Sequence, residues 1–152
     1  AYLYHRCDRA QREQFFDTLR EQFAKARMGA GAQVEALGRC KGAAAEQDSR
    51  FAPDYLSLAV QAYRPYRFVL AFENTAVAGY ATEKLTNAFL AGAVPVYWGA
   101  PDVSLYFNPL AMINCADFGS PQACAEWVVQ VHGNETLYRD MRAADPVAGK
   151  SA

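Results

Sequence analysis

Two periodicities of hydrophobic and polar positions alternate along this chain, one suited to strands and the other to helices. YLYHR at 2–6, RFVLAF at 67–72 and VPVYW at 94–98 are short runs rich in apolar and aromatic residues, the pattern of strands. Between the first two, Gln11–Arg27 carries Phe15, Phe16, Leu19, Phe23 and Ala26 at helical spacing. Gln33–Leu37 reads as a short strand and completes a first strand–helix–strand unit. Gly38–Ala52 is polar and rich in Gly and Ala, so it reads as a loop. Pro53 suits the start of a helix over Asp54–Tyr63, and Pro65 ends it. Strand 67–72, helix 82–91, strand 94–98, a helical turn at Val103–Phe107 and strand 111–115 follow. Helices Pro121–Val131 and Glu135–Ala143 close the chain. This alternation implies an α/β fold, Rossmann-like, with a mostly parallel sheet and helices on both faces.

The stretch from Arg67 to Pro109 carries most of the chemistry. FVLAF runs into the polar loop ENTAVAGYA, then Thr-Glu-Lys opens an amphipathic helix, and VPVYW follows. Polar groups therefore gather where a strand end meets a helix start, the place where open α/β sheets bind ligands. Thr82 is expected to cap the helix, with Glu83 complementing its positive end. Lys84 is opposed by the helix macrodipole by roughly 0.3–1 kcal/mol, a penalty that a bound anion would reverse. Lys84 is thus the leading candidate for a ligand contact, with Asn74, Tyr80 and Glu83 beside it. The plainer alternatives are a solvated lysine, a loop-forming asparagine and a packed aromatic.

Composition narrows the classes. A chain of 152 residues, 52% hydrophobic and 20% charged, suits one globular domain. Its formal net charge of −1 gives no reason to expect nucleic acid or an anionic membrane as partner. No apolar run approaches the ~20 residues that span a bilayer, so any membrane anchor is expected outside this stretch. The chain begins at Ala1 already in a strand-like pattern, as expected of a piece of a longer protein. Cys7, Cys40, Cys115 and Cys124 lack metal-ligand spacing, and His5 and His132 are the only histidines, so no zinc site is expected. The even cysteine count fits either disulfides or buried thiols. Asn134-Glu135-Thr136 is a glycosylation sequon, usable only in a secretory lumen.

GxGxxG, GxxxxGK[ST] and GxSxG motifs are absent, and Ser–His chemistry is not supported by two histidines away from the polar loop. A nucleotide-diphosphate pocket built from a lysine, arginines and hydroxyl-binding carboxylates fits what remains.

The order FENT…GY.TEKL…A…VPVYWG closely resembles the signature of the α-1,3-fucosyltransferase family, glycosyltransferase family 10, whose members use GDP-fucose. The resemblance implies that Lys84 binds a phosphate and Glu83 the ribose, with Tyr80 bordering the ribose and Asn74 nearer the diphosphate or fucose. HRCDRAQREQFFDTL resembles the family's first strand and the arginine that heads the next helix. That arginine is Arg12, implied to bind the diphosphate and stabilise departing GDP, with Arg9 as the alternative. ALGRC at 36–40 is also family-like and brings Arg39 near the donor pocket. Glu73 lies beside the site, but the family pattern does not make it the general base. Residues 1–152 are implied to be a single GDP-fucose-binding domain, the C-terminal half of a GT-B glycosyltransferase. The acceptor domain, with the base, is then missing from this chain, which alone is not expected to transfer sugar.

The implied reaction is inverting transfer of L-fucose, in α-1,3-type linkage, to a GlcNAc-containing glycan or glycoprotein acceptor. No metal cofactor is obligatory in this reading, because no Asp-x-Asp pair or His cluster lies near the loop, while stimulation by Mn2+ is allowed. The implied location is the lumenal side of the Golgi membrane for a eukaryote and the cytoplasm for a bacterium. A non-catalytic nucleotide-sugar-binding module, a GT-B donor domain for another sugar nucleotide, and a structural domain that binds no nucleotide are the open alternatives.

Overall fold

The apolar run Phe68–Phe72 forms strand β1, and all of its residues are buried. β1 pairs in parallel with β2 (Val94–Trp98), from Phe68 opposite Val94 to Phe72 opposite Trp98. β2 pairs in parallel with the short β3 (Ile113–Asn114). The computed structural model describes residues 1–28, 32–41 and 54–149. Its helices are α1 (Ala10–Lys25), α2 (Tyr55–Tyr63), α3 (Glu83–Leu90), α4 (Pro121–Gly133) and α5 (Glu135–Ala143). Short 3-10 turns at Val103–Leu105, Pro109–Ala111 and Cys115–Asp117 connect the later elements.

The N-terminal segment runs along the free side of β1 but forms no full ladder. Leu70 N donates to the Ala1 carbonyl at 2.9 Å, and Tyr2 forms one parallel bridge with Ala36. Farther along, the Tyr4 hydroxyl takes the position of a backbone partner. It accepts from Phe72 N at 2.6 Å and donates to the Leu70 carbonyl at 2.8 Å. The strands expected at 2–6 and at Gln33–Leu37 are reduced to that single bridge, and on the β1 side the Tyr4 hydroxyl stands where a ladder would continue. The loop expected over Gly38–Ala52 lies beyond residue 41 outside the described residues, as does Pro53. Strand 111–115 shortens to Ile113–Asn114, since Asn114 Oδ1 accepts from Ala116 N at 3.3 Å and turns the chain.

Alternation along the strands sorts the core into two faces. Phe68, Leu70, Phe72, Val94 and Val96 pack with Phe15, Phe16 and Leu19 of α1 and with Val128 and Val131 of α4. Ala71 and Tyr97 turn the other way, toward Leu85 of α3, and Val69 joins Tyr63 of α2 and Ala88 of α3. Full burial of such large apolar side chains is worth about 1.5–3 kcal/mol each. Disulfides Cys7–Cys40 and Cys115–Cys124 join segments on the helix side of the sheet, and no free cysteine remains. The first disulfide needs Gly38, where a Cβ would sit 2.6 Å from the Tyr4 carbonyl oxygen. This layering brings Arg6, the chain after β1 and the start of α3 to one end of the sheet.

Candidate functional site

β1 delivers Glu73 directly to that end. Its N–H donates to the Trp98 carbonyl at 2.8 Å, which holds the backbone against β2. The side chain is 2% exposed in a pocket whose floor is Gly99, where a Cβ would lie 2.6 Å from Glu73 Cγ. The carboxylate accepts from Thr82 N at 2.7 Å, from Thr82 Oγ1 at 2.8 Å and from Lys84 Nζ at 3.1 Å. Thr82 occupies the N-cap position with extended backbone, yet its hydroxyl does not cap α3. The buried carboxylate is the stronger acceptor and captures it, while supplying the negative charge that a helix start favours. Beside it, burial first, and then the charges of Glu73 and Asp102, push the Tyr97 hydroxyl up to about 12, against the pull of a hydrogen bond from Ala100 N.

Lys84 is consequently paired. Its Nζ lies 3.0 Å from Thr82 Oγ1 and 3.8 Å from Glu83 Oε1, in addition to the Glu73 contact. The side chain keeps 20% of its surface exposed. That exposure opens on a cavity of about 310 Å³ between the N-terminal segment, α2 and α3. Arg6, Asn74, Glu83 and Lys84 line it together with Leu3, Tyr4, His5, Ala59, Tyr63 and Asn87. Among the described residues the Arg6 side chain pairs only with exposed Asp8, at 3.3 Å, a contact screened by solvent, so its charge remains available.

Arg12 lies buried beside Asn74. It is 2% exposed and does not line the cavity. Its Nη1 donates to Asn74 Oδ1 at 3.2 Å, Nη2 donates to the Arg6 carbonyl, and the guanidinium lies 3.8 Å above the Tyr4 ring. Arg12 Nε is buried without a partner among the described residues. With Oδ1 engaged, the Asn74 amide is fixed in orientation, and its Nδ2 donates to none of the described residues. Arg12 therefore fixes the positions of Asn74 and the Arg6 backbone.

The structure brings Asn74, Glu83 and Lys84 together, with Glu73 beneath them. It leaves Tyr80 and Arg39 apart. Tyr80 is 37% exposed on the loop after β1, and exposed Arg39 precedes Cys40; neither lines the cavity. That loop is tied elsewhere, with Gly79 N donating to Asp102 Oδ1 at 2.9 Å. Sequence reasoning missed Arg6, Tyr63 and Asn87. Asn87 carried a readable signal, a polar residue four positions after Glu83 on the same helix face. A larger cavity, about 520 Å³, opens at the opposite end of β1, but its walls include the apolar Leu19, Phe23, Phe68 and Val128. Its Arg67 is engaged with Glu135 at 2.8 Å and with the Tyr138 ring. Among the described residues no cluster of metal-binding side chains occurs, and no helix is long and apolar enough to cross a membrane.

Comparison with known proteins identifies relatives of this arrangement. The family model for glycosyltransferase family 10 (fucosyltransferase), C-terminal part, matches residues 4–142. The α-(1,3)-fucosyltransferase of Helicobacter pylori is 37% identical over 82 residues, which cover 54% of this chain and 17% of that protein. The α-(1,4)-fucosyltransferase of Arabidopsis thaliana is 42% identical over 78 residues, 51% of this chain and 20% of that protein. A crystal structure of an α1,3-fucosyltransferase with GDP-fucose superposes with a TM-score of 0.79 at 25% identity, covering 95% of this chain and 38% of that one. The chain spans about a fifth of the length of these curated relatives.

Proposed function

This chain belongs to glycosyltransferase family 10, and we propose that it is the donor domain of a GT-B fucosyltransferase, holding GDP-fucose for inverting transfer to a GlcNAc-containing glycan acceptor. One observation carries the reading. Two cations, Lys84 and Arg6, line one cavity at the carboxyl end of β1 with Asn74, whose Nδ2 donates to none of the described residues. Open α/β sheets bind nucleotides at that end.

In this reading Lys84 and Arg6 face the diphosphate, Asn74 donates to a phosphate oxygen, and Glu83 accepts from ribose hydroxyls. The acceptor hydroxyl oxygen attacks C1 of fucose, the bond from C1 to the β-phosphate oxygen breaks, and its electron pair leaves with GDP. Negative charge grows on the β-phosphate, where fixed cations stabilise it. The hydroxyl proton passes to a general base. Glu73 is unsuited to that role, being 2% exposed and already accepting from Thr82 and Lys84. The base is assigned to a companion acceptor domain. Side chains neutralise the diphosphate, so a divalent cation stimulates at most. The two disulfides and the exposed sequon at Asn134 favour an oxidising compartment such as the Golgi lumen.

Titration calorimetry with GDP, GDP-fucose and UDP, with and without EDTA, tests the donor assignment. Radiolabelled GDP-fucose with a GlcNAc-bearing acceptor, supplied to this chain and to a longer protein containing it, tests the division of labour. The expected outcome is GDP binding that survives EDTA, and transfer only by the longer protein, because lost positioning and base together remove factors of order 10⁵ or more. Preference for UDP, or robust transfer by the 152 residues alone, would contradict the reading.

A further inference from the structure

We propose that Asn134 carries an N-linked oligosaccharide, added in a secretory lumen. This rests on the lumenal placement proposed above and is independent of the donor chemistry. Asn134-Glu135-Thr136 is an acceptor tripeptide without proline at its middle position. All three residues are exposed. Asn134 stands between two helices, α4 ending at Gly133 and α5 beginning at Glu135, and its backbone is extended, with φ −113° and ψ 98°. The acceptor side chain therefore projects from a surface junction and not from the body of a helix.

The side chain keeps its reactive atom uncommitted. Asn134 Oδ1 accepts from Leu137 N at 3.1 Å and caps α5, whereas Nδ2 donates to none of the described residues. Glycosylation uses Nδ2 alone. This nitrogen attacks C1 of the first sugar of a lipid-diphosphate-linked oligosaccharide, the bond from C1 to the phosphate oxygen breaks, and its electron pair leaves with the lipid diphosphate. One Nδ2 proton passes to a base of the transferring enzyme. The product still carries the amide carbonyl, so the cap survives the modification. Placement in the fold is permissive as well. Glu135 pairs with Arg67 at 2.8 Å, just before β1, while the cavity lined by Lys84 lies beyond the other end of that strand. The five residues of β1 span about 16 Å, so a glycan at Asn134 leaves the cavity open. An independent observation points to the lumen where such oligosaccharides are donated. Cys7–Cys40 and Cys115–Cys124 are both bridged and no cysteine is free, the pattern of an oxidising compartment.

The test isolates the full-length protein that contains this chain from its own cells, as wild type, Thr136→Val and Thr136→Ser. Each is digested, treated with a glycan-releasing amidase in heavy-oxygen water and read by mass spectrometry, which marks a formerly glycosylated asparagine as labelled aspartate. In parallel, alkylation without reduction reports which cysteines are bridged. Label at position 134 is expected in the wild type and in Thr136→Ser, which keeps the hydroxyl of the tripeptide. Thr136→Val destroys the tripeptide but leaves Asn134 to cap α5, and should yield unlabelled asparagine with an unchanged urea midpoint after glycan removal. Unlabelled Asn134 in a wild type whose cysteines resist alkylation overturns the glycosylation and leaves the lumenal placement standing. Unlabelled Asn134 with all four cysteines alkylated overturns the placement as well. Label that persists in Thr136→Val marks spontaneous deamidation and also overturns the proposal.

Discussion

Lys84 and Glu73 form an ion pair of 3.1 Å in which one partner is sealed from solvent and the other lines the cavity. Thr82 Oγ1 lies within 3.0 Å of both charged groups and locks their geometry. Removing Glu73 leaves the ammonium without its partner and frees the Thr82 N–H at the start of α3. Glu73→Ala should destabilise the fold by about 3–5 kcal/mol, the scale of a broken buried pair. Glu73→Gln, which keeps an acceptor, should cost less. Urea unfolding measures both, and a loss below about 1 kcal/mol for the alanine variant would show that the pair does not hold the helix start.

Lys84→Ala is expected to weaken GDP binding by about 1.5–3 kcal/mol, the range of a charge-assisted hydrogen bond. Guanosine, which lacks phosphates, should bind the variant nearly as well as the wild type. Calorimetry on both ligands separates phosphate contact from general damage. Equal losses for GDP and guanosine would point to collapse of the cavity instead.

The Cys7–Cys40 disulfide closes a sequence separation of 33 residues, whereas Cys115–Cys124 closes one of 9. Loop-closure entropy makes the longer bridge worth about 3.7 kcal/mol and the shorter about 2.6 kcal/mol. The paired substitution Cys7→Ala with Cys40→Ala should therefore be the more destabilising of the two paired removals, read as a larger drop in urea midpoint. A larger effect from removing Cys115–Cys124 would argue that packing, not chain entropy, dominates.

His132 stacks edge-on with Phe23 at 5.2 Å, and burial, with the Arg67 charge adding to it, holds its pKa below 6.5, although Glu135 opposes the shift. The unfolded chain then binds a proton more readily than the native one as pH falls through 6.5, so folding stability drops on acidification and is recovered above that value. His132→Gln should flatten this dependence between about pH 7.5 and 5.5. Thermal midpoints across that range provide the measurement, and identical slopes in variant and wild type would remove His132 as the cause.

The order of elements was legible because it depends on local periodicity. FVLAF and VPVYW are apolar runs short enough to be strands, and the helices over Gln11–Arg27 and 82–91 lie within two residues of α1 and α3. The grouping of Asn74, Glu83 and Lys84 was legible for a related reason, since a strand end and the following helix start necessarily meet. Strand length was less so, because the Tyr4 hydroxyl, not a backbone group, meets Phe72 N.

What the sequence by itself determined is the α/β pattern, the family signature and the position of the polar loop, all encoded by residues close along the chain. Tertiary structure alone decided who partners whom. Arg12 and Asn74 are 62 positions apart, and their hydrogen bond exists only because α1 packs beside the end of β1. Lys84 became a paired cation because Glu73, packed against Gly99, is buried and leaves its carboxylate dependent on nearby donors. Asn87 and Tyr63 became cavity walls because α2 and α3 converge on the N-terminal segment, while Tyr80 and Arg39, equally plausible in the sequence, stayed outside. Partner choice follows from desolvation and distance, and both are properties of packing that no linear spacing specifies.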